Sequence, residues 1–559
     1  MKNKIFTLCS FLLFFNYVIV YGQSETKYPF GIEHVIVIGL DGTSPDGIRS
    51  SKSPNIHQLI HDGAVKWNVR TVLPSSSSPN WASMIMGAGT EAHGIIDNDW
   101  GRADYTLPPV VTNDEGIFPT IFGWVRKYRA NAEIGAVYQW GDFGRLFEKS
   151  AMNFDKNMPN ENATTSEFCK YIIAKKPLLG FMHLDLVDDI GHEFGHGTEA
   201  YYSSVSKADS LIGLVLKSIK KAGIENKTLV IITADHGGVG YGHGGATIEE
   251  AEIAMILNGP AIKKGYSIQQ QVYTYDLAAT IAFALHIVPP YAWTGRPIKS
   301  AFKNFEEPTN LFVGKSFIAN PKIYPLKYLY QEAGGLYKDS SATVYMRTIE
   351  ENALTFYTID GSIPNNKSKL YTSPFKIDSN AVITAISIDK NGNSSLPVKS
   401  YFRFVSSAHK PGVHVQYFSG ENTGWNHIPV FQIMQPNYQW DSNEFEIDRE
   451  QIFSKLNHNN STFGCILESN IQIDQSGLYT FFLRSDDGSK LFIDGKEVIN
   501  NDGDHGVIER NGMVQLNKNI HKIKVEYYNG SGGFWLNLFY KGPAIPKQIV
   551  PANKLFVLK

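Results

Sequence analysis

At 559 residues the chain is longer than one hydrophobic core organises, so two to four domains are expected. Its 52 Lys and Arg against 54 Asp and Glu give a formal net charge of −2, with no basic block or acidic tail, which removes any charge-based argument for nucleic-acid binding. Aromatic residues make up 13% of the chain, a share that suits β-rich modules and sugar-stacking surfaces.

Residues 1–22 read as a secretory signal peptide. Lys2 and Lys4 supply positive charge, Ile5 to Val20 is apolar, and Tyr21-Gly22-Gln23 offers a small residue for cleavage. No later stretch is long and apolar enough to span a bilayer. Of three cysteines, Cys9 falls inside the signal, leaving Cys169 and Cys465 in separate predicted domains. Export without a disulfide framework predicts a bacterial periplasmic, cell-surface or secreted protein.

From residue 29 to 307, apolar runs of strand length alternate with helical patterns, which predicts an α/β domain with a mostly parallel sheet sandwiched by helices. The strand candidates are His34–Leu40, Ser83–Met86, Gly135–Tyr138, Leu178–Leu184 and Thr228–Thr233. Helices are predicted near Ser53–Asp62, Pro119–Tyr128 and Thr198–Ala222. In such sheets ligands gather beyond the carboxyl ends of the strands, and several of these strands end on polar residues suited to chemistry.

The first strand ends on Asp41-Gly42, where the carboxylate either caps the next helix or binds a ligand. The serine-rich loop Pro74–Ser83 presents hydroxyls and backbone N–H groups before Pro79-Asn80 at the head of a helix, as an anion site would. Without a Gly-x-Ser-x-Gly elbow, a metal is the natural activator of such a serine. After Leu184, Asp188 and His192 stand four apart around Gly191, reachable to one ion from a helical turn or a tight loop, with Gly191 favouring the loop. Glu193 and His196 read as outer groups around the ion, substrate contacts or surface residues, with the surface as the default. After Thr233, Asp235, His236 and His243 fall within nine residues of a glycine-rich stretch, the composition of a Zn²⁺ site.

Together these segments resemble the alkaline phosphatase superfamily, and within it the type I phosphodiesterase/nucleotide pyrophosphatase group. The motifs that carry the resemblance are Gly39-Leu40-Asp41-Gly42, Ser77-Ser78-Pro79-Asn80 running to Asp97-Asn98, Asp188-Asp189-Ile190-Gly191-His192, Ala234-Asp235-His236-Gly237 and Gly295-Arg296-Pro297. The resemblance implies two Zn²⁺ ions: Asp41, Asp235 and His236 hold one, and Asp188, His192 and a further histidine hold the other. It makes Ser77 the nucleophile, passing through a phosphoseryl intermediate. Asn98 and the backbone N–H after Ser77 become the stabilisers of the phosphoryl oxygens, and His93 a structural residue.

The chain departs from the family pattern in two places. The last metal histidine lies far downstream in nucleotide pyrophosphatases, whereas here His243 is assigned by elimination. The strand at Ala136–Gly141 lacks the Lys-x-Arg of the phosphomonoesterases, although Arg145 is near, which favours a diester. A sulfatase is disfavoured because no Cys-x-Pro-x-Arg or Ser-x-Pro-x-Arg motif stands at the nucleophile.

Residues 308–332 read as a linker. From 333 to 405 short alternating strands predict an immunoglobulin-like β-sandwich that resembles the chitobiase/β-hexosaminidase C-terminal domain, with a spacer role as its default. Residues 411–559 resemble a PA14 domain, a β-barrel or sandwich, through Gly477–Lys496, His521–Tyr528 and Trp535–Leu538. Asp486-Asp487 there is either an ordinary turn or, as in carbohydrate-binding members, a Ca²⁺ and glycan site.

The expectation is an exported two-zinc phosphodiesterase acting on a small-molecule or glycan-linked phosphate ester, with a glycan ligand for the C-terminal modules. Two alternatives stand beside it: a phosphomonoesterase acting on sugar phosphates, and a non-catalytic glycan-binding surface protein.

Overall fold

The computed structural model describes residues 28–557, apart from 312–317, 327–332, 339, 349, 351, 421–422, 448–451, 453–461 and 531–532. Residues 1–22, where a signal peptide is expected, lie outside the described residues. Among those described, no helix is long and apolar enough to cross a membrane.

The first domain is built on an eight-stranded sheet, with strands β1 (His34–Leu40), β2 (Ala64–Arg70), β3 (Ile134–Tyr138), β4 (Phe154–Asn157), β5 (Leu179–Leu184), β6 (Thr228–Thr233), β7 (Glu252–Asn258) and β8 (Tyr266–Ser267). Their spatial order is β4-β3-β5-β1-β6-β7-β2-β8. The first five in that order run parallel, and β7 is antiparallel to both its neighbours. β1 lies near the middle, and its alternation shows why it is apolar on both faces. Val35 and Val37 enter one core with Trp81, Phe122 and Phe181. Ile36, Ile38 and Leu40 enter the other, with Phe168, Tyr201 and Ile212.

The helices follow in chain order as α1 (Pro45–Ser50), α2 (Pro54–His61), α3 (Ser77–Met86), α4 (Thr90–His93), α5 (Ile121–Tyr128), α6 (Glu161–Lys175), α7 (Leu186–Phe194), α8 (Glu199–Lys221), α9 (Ile248–Ala251) and α10 (Asp276–Ala284). Two of them correct the sequence reading. Ser83–Met86 is the second half of α3 rather than a strand, and all ten residues of that helix are buried. An apolar run this short carries no period that separates a core helix from a strand. Asp188 and His192 sit in α7, not in a tight loop. Gly191 is tolerated there because a methyl group at that position would come within 2.5 Å of the His196 ring, so packing overrides propensity.

The middle module is a sandwich of a five-stranded and a three-stranded sheet around Val344, Tyr357, Ile383 and Phe402. Strand Lys322–Tyr324 joins the smaller sheet by pairing with Ala342–Arg347. The last module pairs a larger sheet centred on Phe463–Gln472 and Ile520–Asn529 with a four-stranded sheet centred on Gly477–Asp486. The middle module is bonded to both neighbours. Arg49 Nη1 meets Glu350 Oε1 at 2.8 Å, and Lys322 meets Asp46, on the first domain. On the other side Arg403 grips Glu444 of the last module through two bonds of 2.5 and 2.7 Å.

Candidate metal centre

The site lies at the carboxyl ends of β1, β5 and β6, where the strands stop and their loops open. Asp41 follows β1, Asp235 follows β6, and both are buried. Gly42 has φ +64°, and a methyl group there would come within 2.5 Å of Asp188 Oδ1, so only glycine lets the β1 loop approach α7 this closely. Its N–H donates to Asp235 Oδ1 at 3.2 Å.

Three groups of ligand atoms form at the site, and the second draws on His236 where the sequence expected His192. Asp41, Asp235 and His236 offer atoms within 4.8 Å of one another, as do Asp188, His236 and His243. His236 Nε2 lies 3.4 Å from Asp41 Oδ1 and 3.2 Å from Asp235 Oδ2. Its Nδ1–H donates to the Gly237 carbonyl at 2.8 Å, which leaves Nε2 with a lone pair facing the carboxylates. At the other end of the site, Asp188 Oδ2 meets His192 Nε2 at 3.1 Å and His243 Nε2 at 3.6 Å. Both of these histidines also have Nδ1 engaged by a carbonyl, Tyr241 for His192 at 2.7 Å and Ser75 for His243 at 3.1 Å. The rings of His236 and His243 stack with centroids 3.7 Å apart, bridging the two groups.

The third group, Asp41, His183 and Asp185, contains two residues that the sequence reading passed over. His183 Nε2 approaches Asp41 Oδ2 at 2.9 Å. Its place inside the apolar run of β5 makes it look like a core residue, and only the register with β1 reveals its partner. His196, for which the surface was the default among three readings, is buried instead, with Nε2 3.8 Å from Asp188 Oδ1. Gly195 at φ +93° turns the chain back under α7 and carries it there. Glu193 is exposed, as expected.

Electrostatics mark this as a place that needs positive charge. Asp41 Oδ1, Asp188 Oδ1 and Asp235 Oδ2 are buried without a hydrogen-bond partner. Burial, followed by the nearby Asp41 and Asp188 charges, pushes the Asp235 carboxyl well above the usual range. Burial and the same two neighbours, with Asp189, raise Asp185 to about 9. The Asp188 charge raises His192 to about 10, whereas burial lowers His196 and His243 to about 3. Buried carboxylates crowded together are costly unless a cation lies between them, and imidazole nitrogens beside carboxylate oxygens make a donor set that fits Zn²⁺.

Ser77 opens α3, with Oγ 3.2 Å from His236 Nε2. One turn later Trp81 Nε1–H donates to Asp41 Oδ2 at 2.9 Å, tying the serine's helix to the carboxylate. The backbone N–H after Ser77 is not open to a substrate: Ser78 N–H donates to Asn98 Oδ1 at 2.8 Å, which orients the Asn98 amide instead. Arg145 adds a positive group at the rim, with Nη2 3.4 Å from Ser78 Oγ and a bond to the Asn98 carbonyl. His93 is buried under α3, where it meets Ser83 Oγ at 2.9 Å.

Comparison with known proteins finds three matches to family models along the chain. Residues 35–254 match the model of type I phosphodiesterase/nucleotide pyrophosphatase, 332–400 that of the chitobiase/beta-hexosaminidase C-terminal domain, and 435–554 that of the PA14 domain. Venom phosphodiesterase CdcPDE of Crotalus durissus collilineatus is 26% identical over 233 residues, 38% of this chain and 28% of the relative. Human ectonucleotide pyrophosphatase/phosphodiesterase family member 5 is 24% identical over 214 residues, 37% of this chain and 45% of the relative. The chain therefore spans less than half the length of either. The solved structure of human ectonucleotide pyrophosphatase/phosphodiesterase 5 superposes with a TM-score of 0.41 at 17% identity, covering 48% of this chain and all of that one. In chain order, three segments are thus similar to a type I phosphodiesterase/nucleotide pyrophosphatase, a chitobiase/beta-hexosaminidase C-terminal domain and a PA14 domain.

Proposed function

We propose that the protein is an exported phosphoric diester hydrolase that works through Ser77 beside two divalent cations, most simply Zn²⁺. The observation that carries this reading is the set of three partnerless buried carboxylate oxygens, on Asp41, Asp188 and Asp235, beside the Ser77 hydroxyl. Asp41, Asp235 and His236 would hold one cation, and Asp188, His192 and His243 the other. When bound, the pair supplies the positive charge that lowers the Ser77 pKa and neutralises the phosphoryl oxygens.

The residues of the chain do the rest. The Ser77 Oγ–P bond forms as the bond to the leaving alkoxide breaks, and the alcohol departs. Water then cleaves the Oγ–P bond, restoring the Ser77 hydroxyl and releasing a phosphomonoester. Asn98, its carbonyl end fixed by the Ser78 N–H, is left with its amide hydrogens for a phosphoryl oxygen. Arg145 adds charge at the rim, but Asp142 stands 3.4 Å from it and takes up part of that charge. One shared arginine suits the single negative charge of a diester better than the double charge of a monoester. Export rests on the N-terminal sequence, residues 1–22.

In the last module we propose a Ca²⁺ site at Asp486-Asp487. Burial, then Asp486 and Asp504, raise the Asp487 carboxyl to about 8, and the buried Tyr528 hydroxyl has no partner. A hard cation relieves both.

Turnover of bis-p-nitrophenyl phosphate against p-nitrophenyl phosphate, with and without a chelator, tests the function. The diester is expected to be the better substrate, with chelator-sensitive turnover. Preference for the monoester would favour a phosphomonoesterase, and turnover of neither by the zinc-loaded protein would favour a binding protein.

A further inference from the structure

We propose that the last module is a working part of the metal centre: it clamps the loop that carries His243 and so holds two of the candidate cation ligands in place. Residues 241, 242 and 243 each meet it. A methyl group on Gly533 would fall 2.7 Å from Tyr241 Cβ, and one on Gly506 would fall 2.5 Å from the His243 carbonyl oxygen. From Gly242, the corresponding position is 3.6 Å from Asp486 Oδ2. Contacts this close across two domains need glycine at 506 and 533, because the atoms they face belong to the backbone or to a Cβ and cannot swing aside.

The clamped residues bear directly on the site. Tyr241 supplies the carbonyl that orients His192, and His243 is itself a ligand candidate. From the other side the loop is held by the catalytic domain. His196 N–H donates to the Gly240 carbonyl at 2.8 Å, and Gly244 N–H donates to Ser75 Oγ at 3.2 Å. The loop is thus pressed between two domains, and the middle module is the bracket that folds the chain back to make this so. Its Arg403–Glu444 pair, with side chains 12% and 3% exposed, and the edge-on packing of Tyr401 against Phe539 fix the last module in position. Outer partners of metal ligands tune affinity by about 10- to 100-fold, which sets the size of the effect.

This inference rests on the reading of His192 and His243 as cation ligands, and the test separates the two. Full-length metal-free protein is titrated with Co²⁺, followed by its visible spectrum, and amide exchange is measured over residues 239–245. Gly506→Val, a wedge under His243, is expected to weaken one of two uptake steps by at least about tenfold. The other step should hold, and exchange in the loop should quicken. Gly533→Val, a wedge on the other contact, repeats the experiment should the first variant fail to fold. Unchanged uptake and unchanged exchange in both variants would overturn the clamp. If the wild type takes up no Co²⁺, the two-cation reading fails, and the exchange rates alone decide whether the clamp stands.

Discussion

Trp81 stands one helical turn beyond Ser77 and spends its only polar hydrogen on Asp41. That bond links the candidate nucleophile to a candidate ligand through a rigid helix, and His183 meets the same oxygen from β5. Trp81→Phe keeps most of the ring volume and removes the bond, so cation affinity at the Asp41 group is expected to fall about 10- to 100-fold with little loss of fold. Competition against a chromogenic chelator, alongside a thermal melt, measures both. Ser77→Ala is expected to cut turnover by ~10³-fold or more while cation content stays at the wild-type level. Persistent turnover would move the nucleophile elsewhere. At this scale the sequence was most readable where a strand stops: Asp41, Asp235 and His236 each follow a buried apolar run, and their chemistry breaks its pattern. It was least readable where a polar residue sits inside such a run or beyond a turn. His183 hides within β5, and His196 is turned inward by a glycine whose φ no local pattern announces.

The elements α3 and α7 show why local patterns mislead near the site. Both were read wholly or in part as something other than helix, and both are held as helices by what they pack against. All ten residues of α3 are buried, polar ones included, so no exposed face reveals a helical period, and α7 keeps Gly191 because the His196 ring occupies the space of a side chain. The turn at Asp486-Asp487 can be judged at the same scale. With the Asp487 pKa raised to about 8, the cation-free folded state binds a proton there that the unfolded chain releases at ordinary carboxylate pH. The stability from this group is therefore fully present below the unfolded value and is lost as pH rises towards 8. A Ca²⁺ ion must displace that proton, so its affinity should climb with pH up to about 8. The rise in melting temperature on adding Ca²⁺ should be larger at pH 8 than at pH 6, and Asp487→Asn should reduce it at pH 8. A shift independent of pH, or one that survives the substitution, would count against Ca²⁺ at this turn.

Across the whole molecule, three kinds of module were legible from the sequence because each has its own period and turn chemistry. How they dock was not legible. Arg49–Glu350, Lys322–Asp46 and Arg403–Glu444 join residues far apart in the chain, and no sequence pattern pairs one such charge with another. The docking has a consequence for the intact protein. Because the last module presses on the His243 loop, saturating the cation sites should raise the melting temperature of that module together with the first domain. Chelation should lower both. Separate transitions, with only one responding to the ion, would argue that the modules are energetically independent.

The central claim is that residues from the ends of β1 and β6, from α7 and from the glycine-rich loop meet around two cations facing Ser77. Anomalous diffraction at the zinc absorption edge, from crystals of the full chain grown with Zn²⁺, tests it most directly. The account predicts two peaks, one among Asp41, Asp235 and His236 and one among Asp188, His192 and His243, both beside the Ser77 hydroxyl. A single peak remote from these side chains, or none, would contradict it.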